Sequence, residues 1–180
     1  MLLLALLAAG CSASVAEPAS ERVPLGTAFD LHSTVLDEDR KIVVSLPEGY
    51  EEGGAQYPVL YMLDGEQNQR HATGSAEVLA RTGHMPPVIV VGIESENRMR
   101  DFTPSGVDEV PYSGGADRFL DFMADEVMPF VEARYRTHPF RVLEGHSLGG
   151  TFTAHVLLER PDLFDAYNIV SPAFWWDDEV

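Results

Sequence analysis

A chain of 180 residues with 45% apolar content is long enough for one domain with a sizeable core. Its net charge of −17, with eleven arginines and one lysine (Lys41), would repel nucleic-acid phosphates, and no basic patch offsets it. A single cysteine, Cys11, excludes an internal disulfide.

The chain opens on an apolar run, Leu2 to Gly10, that ends in Ala8-Ala9-Gly10-Cys11. The run is too short to span a bilayer as a helix. It reads as the end of a bacterial secretory signal in residues 1–11, with Cys11 lipidated after cleavage. A thioether-linked lipid and an N-acyl chain together would anchor the protein to the membrane, where one chain alone binds marginally. No Lys or Arg precedes the run, and Ser14-Val15-Ala16 offers an ordinary cleavage site instead. Either route places the protein in the bacterial cell envelope, lipid-anchored or periplasmic and secreted. Residues 12–24 are small and polar and read as a flexible tether, leaving residues 25–180 as the domain.

Phe29 to Leu36 and Lys41 to Leu46 are extended runs flanking Asp37-Glu38-Asp39-Arg40, the pattern of a hairpin. Pro58 to Leu63 and Val88 to Ile93 are continuous apolar runs, as in strands buried on both faces. Between them, residues 70–82 suit a helix. Asp117 to Tyr135 repeats Phe119, Met123, Val127, Phe130 and Val131 at helical spacing, and Pro129 is expected to kink that helix. A short strand before Ser147, a helix over Thr151 to Leu158, and a strand over Tyr167 to Val170 complete the alternation. Strands alternating with helices predict an α/β fold, a mostly parallel sheet with helices on both faces. Chemistry in such a sheet collects at the carboxyl ends of the strands. Segments 64–69, 94–115 and 171–180 should therefore share a rim with Ser147, whereas His138 precedes its strand and belongs at the far end.

Gly145-His146-Ser147-Leu148-Gly149 is a G-x-S-x-G pentapeptide between an apolar strand and a helix. So tight a turn strains the serine backbone, demands small neighbours, and thrusts the hydroxyl out at the strand end. The Leu148 N–H, at the helix amino terminus, would face an oxyanion formed there.

The segments PVLYMLDGE (58–66), RDFTP (100–104), GGADRFLDFMADEVMPFVEARYRT (114–137), GHSLGG (145–150) and RPDLFDAYNIVSPAFWWDD (160–178) resemble the esterase branch of the α/β-hydrolase superfamily. That branch includes siderophore trilactone esterases, feruloyl and acetyl-sugar esterases, S-formylglutathione hydrolases and mycolyltransferases. The resemblance covers about residues 29 to 180. It implies Ser147 as the acylated nucleophile and the Leu148 N–H as one oxyanion donor. The second donor would be the N–H of Glu66 or Gly65, with Asp64 bracing their loop. Arg100 and Asp101 would pair to hold the second rim loop, with Arg100 also a candidate substrate contact. Trp175 and Trp176 would wall the substrate pocket or pack beneath their loop.

A serine hydroxyl needs a base, and the family order of serine, acid, histidine places that base well beyond Ser147. His155 alone follows Ser147, but eight residues along one helix is about 12 Å, far beyond the roughly 3 Å of proton transfer. His146 is turned aside by the elbow, while His32 and His84 lie in the hairpin and before a strand. His71 is the one upstream histidine that could reach the rim, as a substitute base or a substrate-side residue. Asp177 follows the last strand, where some α/β-hydrolases hold their acid. The expectation is that these 180 residues are the front of a longer esterase, with the last strands and the triad acid and histidine encoded beyond Val180.

The leading expectation is a serine carboxylic-ester hydrolase acting on a small-molecule ester. An acyltransferase using the same acyl-enzyme is the second, and a non-catalytic binding module with a degenerate triad the third. No cofactor is expected: no dinucleotide fingerprint follows a strand, and the histidines have no ligand-spaced partners for a metal.

Overall fold

A computed structural model describes residues 25–177. Cys11, the signal and the tether lie outside the described residues. The described chain forms one six-stranded sheet, of order β1-β2-β4-β3-β5-β6. Its strands are β1 (Thr27–Ser33), β2 (Glu38–Ser45), β3 (Tyr57–Leu63), β4 (Ile89–Ile93), β5 (Thr137–His146) and β6 (Ala166–Val170). β4, β3, β5 and β6 run parallel, and β2 and β1 are antiparallel additions at one edge.

The continuous apolar runs divide by strand alternation. Val59, Tyr61 and Leu63 of β3 and Ile89, Val91 and Ile93 of β4 join the main core with Phe119, Phe122, Val131 and Phe152. Leu60 and Met62, with Val88 and Val90, face the opposite side and pack on Ala72 and Ala76. Ala72 and Ala76 belong to helix α1 (Gly65–Arg81), so helices cover both faces as expected. α1 begins directly after β3, five residues before the predicted start. Gly65 explains the abrupt entry: a Cβ there would lie 2.7 Å from the Gly92 backbone carbon of β4.

The hairpin turn is displaced from its predicted place. Asp39 and Arg40 lie inside β2, paired with His32 and Leu31, and Asp37 takes the left-handed turn position at φ 59°. Arg40 is fully buried, so it lies in the strand rather than in the exposed turn. Its guanidinium bonds Asp101 Oδ2 at 2.7 Å and Glu38 Oε1, and lies 5.6 Å from the Phe119 ring centroid.

Residues 116–134 form one helical passage in three parts: α3 (Ala116–Phe122), a π-helical turn (Met123–Val127) and α4 (Met128–Arg134). Pro129, where a kink is expected, falls in the first turn of α4, directly after the π-helical turn. The widened turn, in which Met128 N–H bonds Met123 O five residues back, lets the helix pass a residue with no N–H to give. Short helix α2 (Arg98–Asp101) lies in the loop after β4, and α5 (Leu148–Glu159) follows β5 without a gap.

Candidate active site

Four segments meet at the carboxyl ends of the parallel strands: Asp64 after β3, the α2 loop after β4, Ser147 after β5, and 171–177 after β6. At their centre Ser147 has φ 59° and ψ −120°, a conformation that costs a side-chain-bearing residue roughly 1–3 kcal/mol. Three backbone bonds hold it there. Ser147 N–H donates to Val170 O at 3.0 Å, and Ser147 O accepts from Thr151 N–H at 3.0 Å and Ala173 N–H at 3.1 Å. The elbow is thus stapled to β6, to its own helix and to the loop bearing the two tryptophans. Gly145 is required by contact, since a Cβ there would run into the Gly149 carbonyl and lie 2.6 Å from Thr153 Oγ1.

The Leu148 N–H is the first of α5, a twelve-residue helix whose amino terminus points its partial positive charge at the rim. α1 does the same from the neighbouring strand. Its Gln67 and Asn68 N–H groups bond Asp64 O at 3.0 Å each, and the N–H groups of Gly65 and Glu66 precede them. The Glu66 side chain turns to the next loop, where its Oε2 accepts from Ser95 N–H at 3.2 Å.

Asp64 is buried in the left-handed conformation (φ 54°, ψ 49°) and makes no side-chain cap to α1. Its carboxylate instead takes Arg98 Nε at 2.6 Å and Nη2 at 3.1 Å. A Cβ on Gly149 would lie 3.5 Å from Asp64 Oδ2, so the ion pair abuts the first turn of α5. Arg98 belongs to no recognisable sequence motif. The available signal was adjacency: an aspartate after β3 and an arginine after β4 must face each other once those strands pair.

Arg100 sits one layer further out, tied to Asp101 at 2.7 Å and to both Glu38 oxygens at 2.5 and 3.1 Å. Its guanidinium thus braces the loop against β2, as the Arg100–Asp101 pairing implied. The Arg100 hydrogen bond holds the Glu38 carboxyl below its usual range, against the burial that would raise it. Glu94, at the end of β4, moves the other way, raised chiefly by burial. Trp176 is 4% exposed and donates Nε1–H to Ser105 O at 3.1 Å, whereas Trp175 is 70% exposed. Trp176 therefore packs beneath the rim, and Trp175 is the indole free to meet a ligand.

No described side chain hydrogen bonds the Ser147 hydroxyl. His155 pairs with Asp117 at 2.8 Å on the flank of α5, and His84 with Thr82 at 2.9 Å. His32 meets Asp39 at 2.8 Å in the hairpin. His71 contacts Asn68 Oδ1 at 3.1 Å and shares a cleft of about 280 Å³ with His146, Glu144 and Met62, on the α1 side of the elbow. Asp177 lies in a left-handed turn (φ 48°) and is exposed. Among the described residues, no group of three or more His, Cys, Asp or Glu is placed to hold a metal ion.

A mostly parallel sheet, a strained serine between strand and helix, and oriented amides beside it define an α/β-hydrolase. Residues 33–180 match the model of the Esterase family, described as "Putative esterase", and the chain belongs to that family. It is 37% identical over 144 residues to the ferri-bacillibactin esterase BesA of Bacillus subtilis, covering 68% of this chain and 50% of BesA. It is 32% identical over 161 residues to the siderophore triacetylfusarinine C esterase of Aspergillus fumigatus, covering 79% of this chain and 55% of that esterase. An IroE-like serine hydrolase from Shewanella oneidensis shares the fold at TM-score 0.79 and 38% identity, over 85% of this chain and 52% of that one. The chain spans about half the length of these curated relatives.

Proposed function

We propose that this chain carries the nucleophile and oxyanion-binding portion of a serine esterase that acts on small-molecule esters of the siderophore type. The observation that carries the reading is the backbone of Ser147, held at a costly φ/ψ by three hydrogen bonds where β5 meets α5. Strain maintained by its surroundings at a strand end marks a functional position. The names of its relatives, esterases of ferri-bacillibactin and triacetylfusarinine C, support the substrate class.

In this mechanism the Ser147 Oγ–H proton passes to a base as Oγ bonds the ester carbonyl carbon. Negative charge gathers on the carbonyl oxygen and is met by the Leu148 N–H, with the Gly65 and Glu66 N–H groups and the fixed Arg98 cation on the same rim. The C–O bond to the alcohol breaks, and the base returns its proton to the departing alkoxide. Water then attacks the acyl group, giving up a proton to the same base, and the acid leaves as Ser147 Oγ is reprotonated. His32, His71, His84 and His155 are each hydrogen-bonded to other side chains, so the base is assigned to none of these four. Cys11 is proposed as a lipidation site that tethers the enzyme to the bacterial envelope, which metabolic labelling with an alkynyl fatty acid in wild-type and Cys11→Ser strains would test.

The deciding experiment treats the full-length protein with a fluorophosphonate probe. Covalent labelling that disappears in Ser147→Ala, with hydrolysis of a catecholate trilactone lost in the same variant, is the expected result. A folded wild-type protein that takes no label would overturn the esterase reading.

A further inference from the structure

A second cavity, of about 290 Å³, lies at the opposite end of the sheet from Ser147. Its level is set by register. Ile89 at the start of β4 pairs with Val59, which pairs with Arg141, and Ser147 is six residues further along β5, about 20 Å at strand rise. The cavity exists because the face that α1 turns toward β2 and β4 is built of small residues. Thr73, Ala76 and Ala80 recur at helical spacing and leave space above Val88 and Val90.

Floor and rim differ in chemistry. Thr73, Ala76, Val88 and Val90 are buried, whereas Glu48, Glu52 and Glu77 are exposed around the opening beside a single cation, Arg81. Thr73 is 7% exposed, and its Oγ1 has no hydrogen-bond partner. A threonine inside a helix commonly spends its hydroxyl on the carbonyl four residues back, so an idle one against a cavity is unusual. One turn earlier, Gln69 gives Nε2 to Ser45 Oγ at 2.8 Å and Val90 O at 3.2 Å, which leaves its Oε1 unpaired as well. Gln69 does not line the cavity, which therefore holds apolar surface, the idle Thr73 hydroxyl and an excess of carboxylates.

We infer that this cavity is a binding site for a small primary ammonium compound with a compact apolar body and a hydroxyl at its far end. The ammonium meets the glutamates of the rim, the body covers Val88, Val90 and Ala76, and the hydroxyl engages Thr73 Oγ1. Three glutamates outnumber Arg81 on the rim and disfavour a carboxylate ligand, and a purely apolar one leaves the Thr73 hydroxyl unpaired. The site is independent of Ser147, so the inference stands or falls apart from the esterase assignment.

Titration of the isotopically labelled full chain with tyramine, followed by amide chemical shifts, tests it. Saturable shifts confined to residues 45–52, 73–81 and 87–90 are expected. 4-Hydroxyphenylacetate should bind at least about tenfold more weakly, and phenethylammonium, which lacks the hydroxyl, about fivefold more weakly. Glu48→Gln/Glu52→Gln/Glu77→Gln, which alters only exposed side chains, should weaken tyramine about tenfold, and Ala80→Met should block it. Shifts that spread over the acidic surface without saturating, equal binding of 4-hydroxyphenylacetate, or full affinity in the triple variant would each overturn the inference.

Discussion

The Asp64 carboxylate grips the Arg98 guanidinium through Nε at 2.6 Å and Nη2 at 3.1 Å, and this pair rests against the first turn of α5. It joins the loops after β3 and β4 to the elbow and, in the proposed mechanism, neutralises a carboxylate that would otherwise repel the developing oxyanion. Arg98→Ala should therefore lower kcat/KM of the full-length enzyme by about 10²-fold, the scale of losing one preorganised electrostatic contact. Arg98→Lys should recover little, because a point charge cannot reproduce the two-pronged contact. Hydrolysis of a p-nitrophenyl ester reads both, and near wild-type rates in Arg98→Ala would refute the role.

The two glycines of the elbow pentapeptide should respond unequally. A Cβ on Gly145 collides with the Gly149 carbonyl, whereas one on Gly149 meets ordinary van der Waals neighbours at 3.5 Å. Gly145→Ala is expected to cost about 3 kcal/mol or more in urea unfolding, and Gly149→Ala less than about 1 kcal/mol. Equal losses would mean that the turn relaxes more readily than its geometry indicates.

The tryptophan pair gives a third contrast. Trp176→Ala removes a buried indole and its bond to Ser105 O, and should destabilise by about 3–5 kcal/mol. Trp175→Ala should change stability by less than about 0.5 kcal/mol while raising KM for aromatic esters. Thermal melts and steady-state kinetics separate the two, and a KM unmoved by Trp175→Ala removes that indole from the substrate surface.

Acid sensitivity should pass through Glu38. Its pKa in the fold lies below 4.5, owing first to the hydrogen bond from Arg100. A depressed carboxyl pKa stabilises the fold above the unfolded value and stops doing so as pH falls through the folded one. Glu38→Gln should therefore cost about 1–2 kcal/mol at pH 7, and the gap to wild type should shrink as pH drops below 4.5. Urea melts at pH 7 and pH 3 check the sign; a gap that widens in acid contradicts it.

Strand identity, the parallel sheet and the shared rim were legible because Pro58 to Leu63 and Val88 to Ile93 are runs that only a doubly covered strand tolerates. The elbow was legible because Gly145 follows from local sterics, whereas Gly149 tolerates a Cβ that the pentapeptide pattern does not anticipate. What escaped depends on partners distant in sequence. Arg40 looked like a turn residue until Asp101 was brought to it, and Arg98 had no meaning until β3 and β4 paired. The early start of α1 was hidden because Gly65, usually poor for helix, is there for its closeness to Gly92.

The π-helical turn at Met123–Val127 also bears on how this chain should be compared with others. Such a turn accommodates one residue beyond ordinary α-helical pitch and advances everything after it by about 100° around the axis. An alignment that treats residues 116–134 as uninterrupted helix will slip by one position there, matching inward-facing residues to outward-facing ones. Related sequences lacking the extra residue need a single-position gap in this stretch, and the proline nearby marks where to open it.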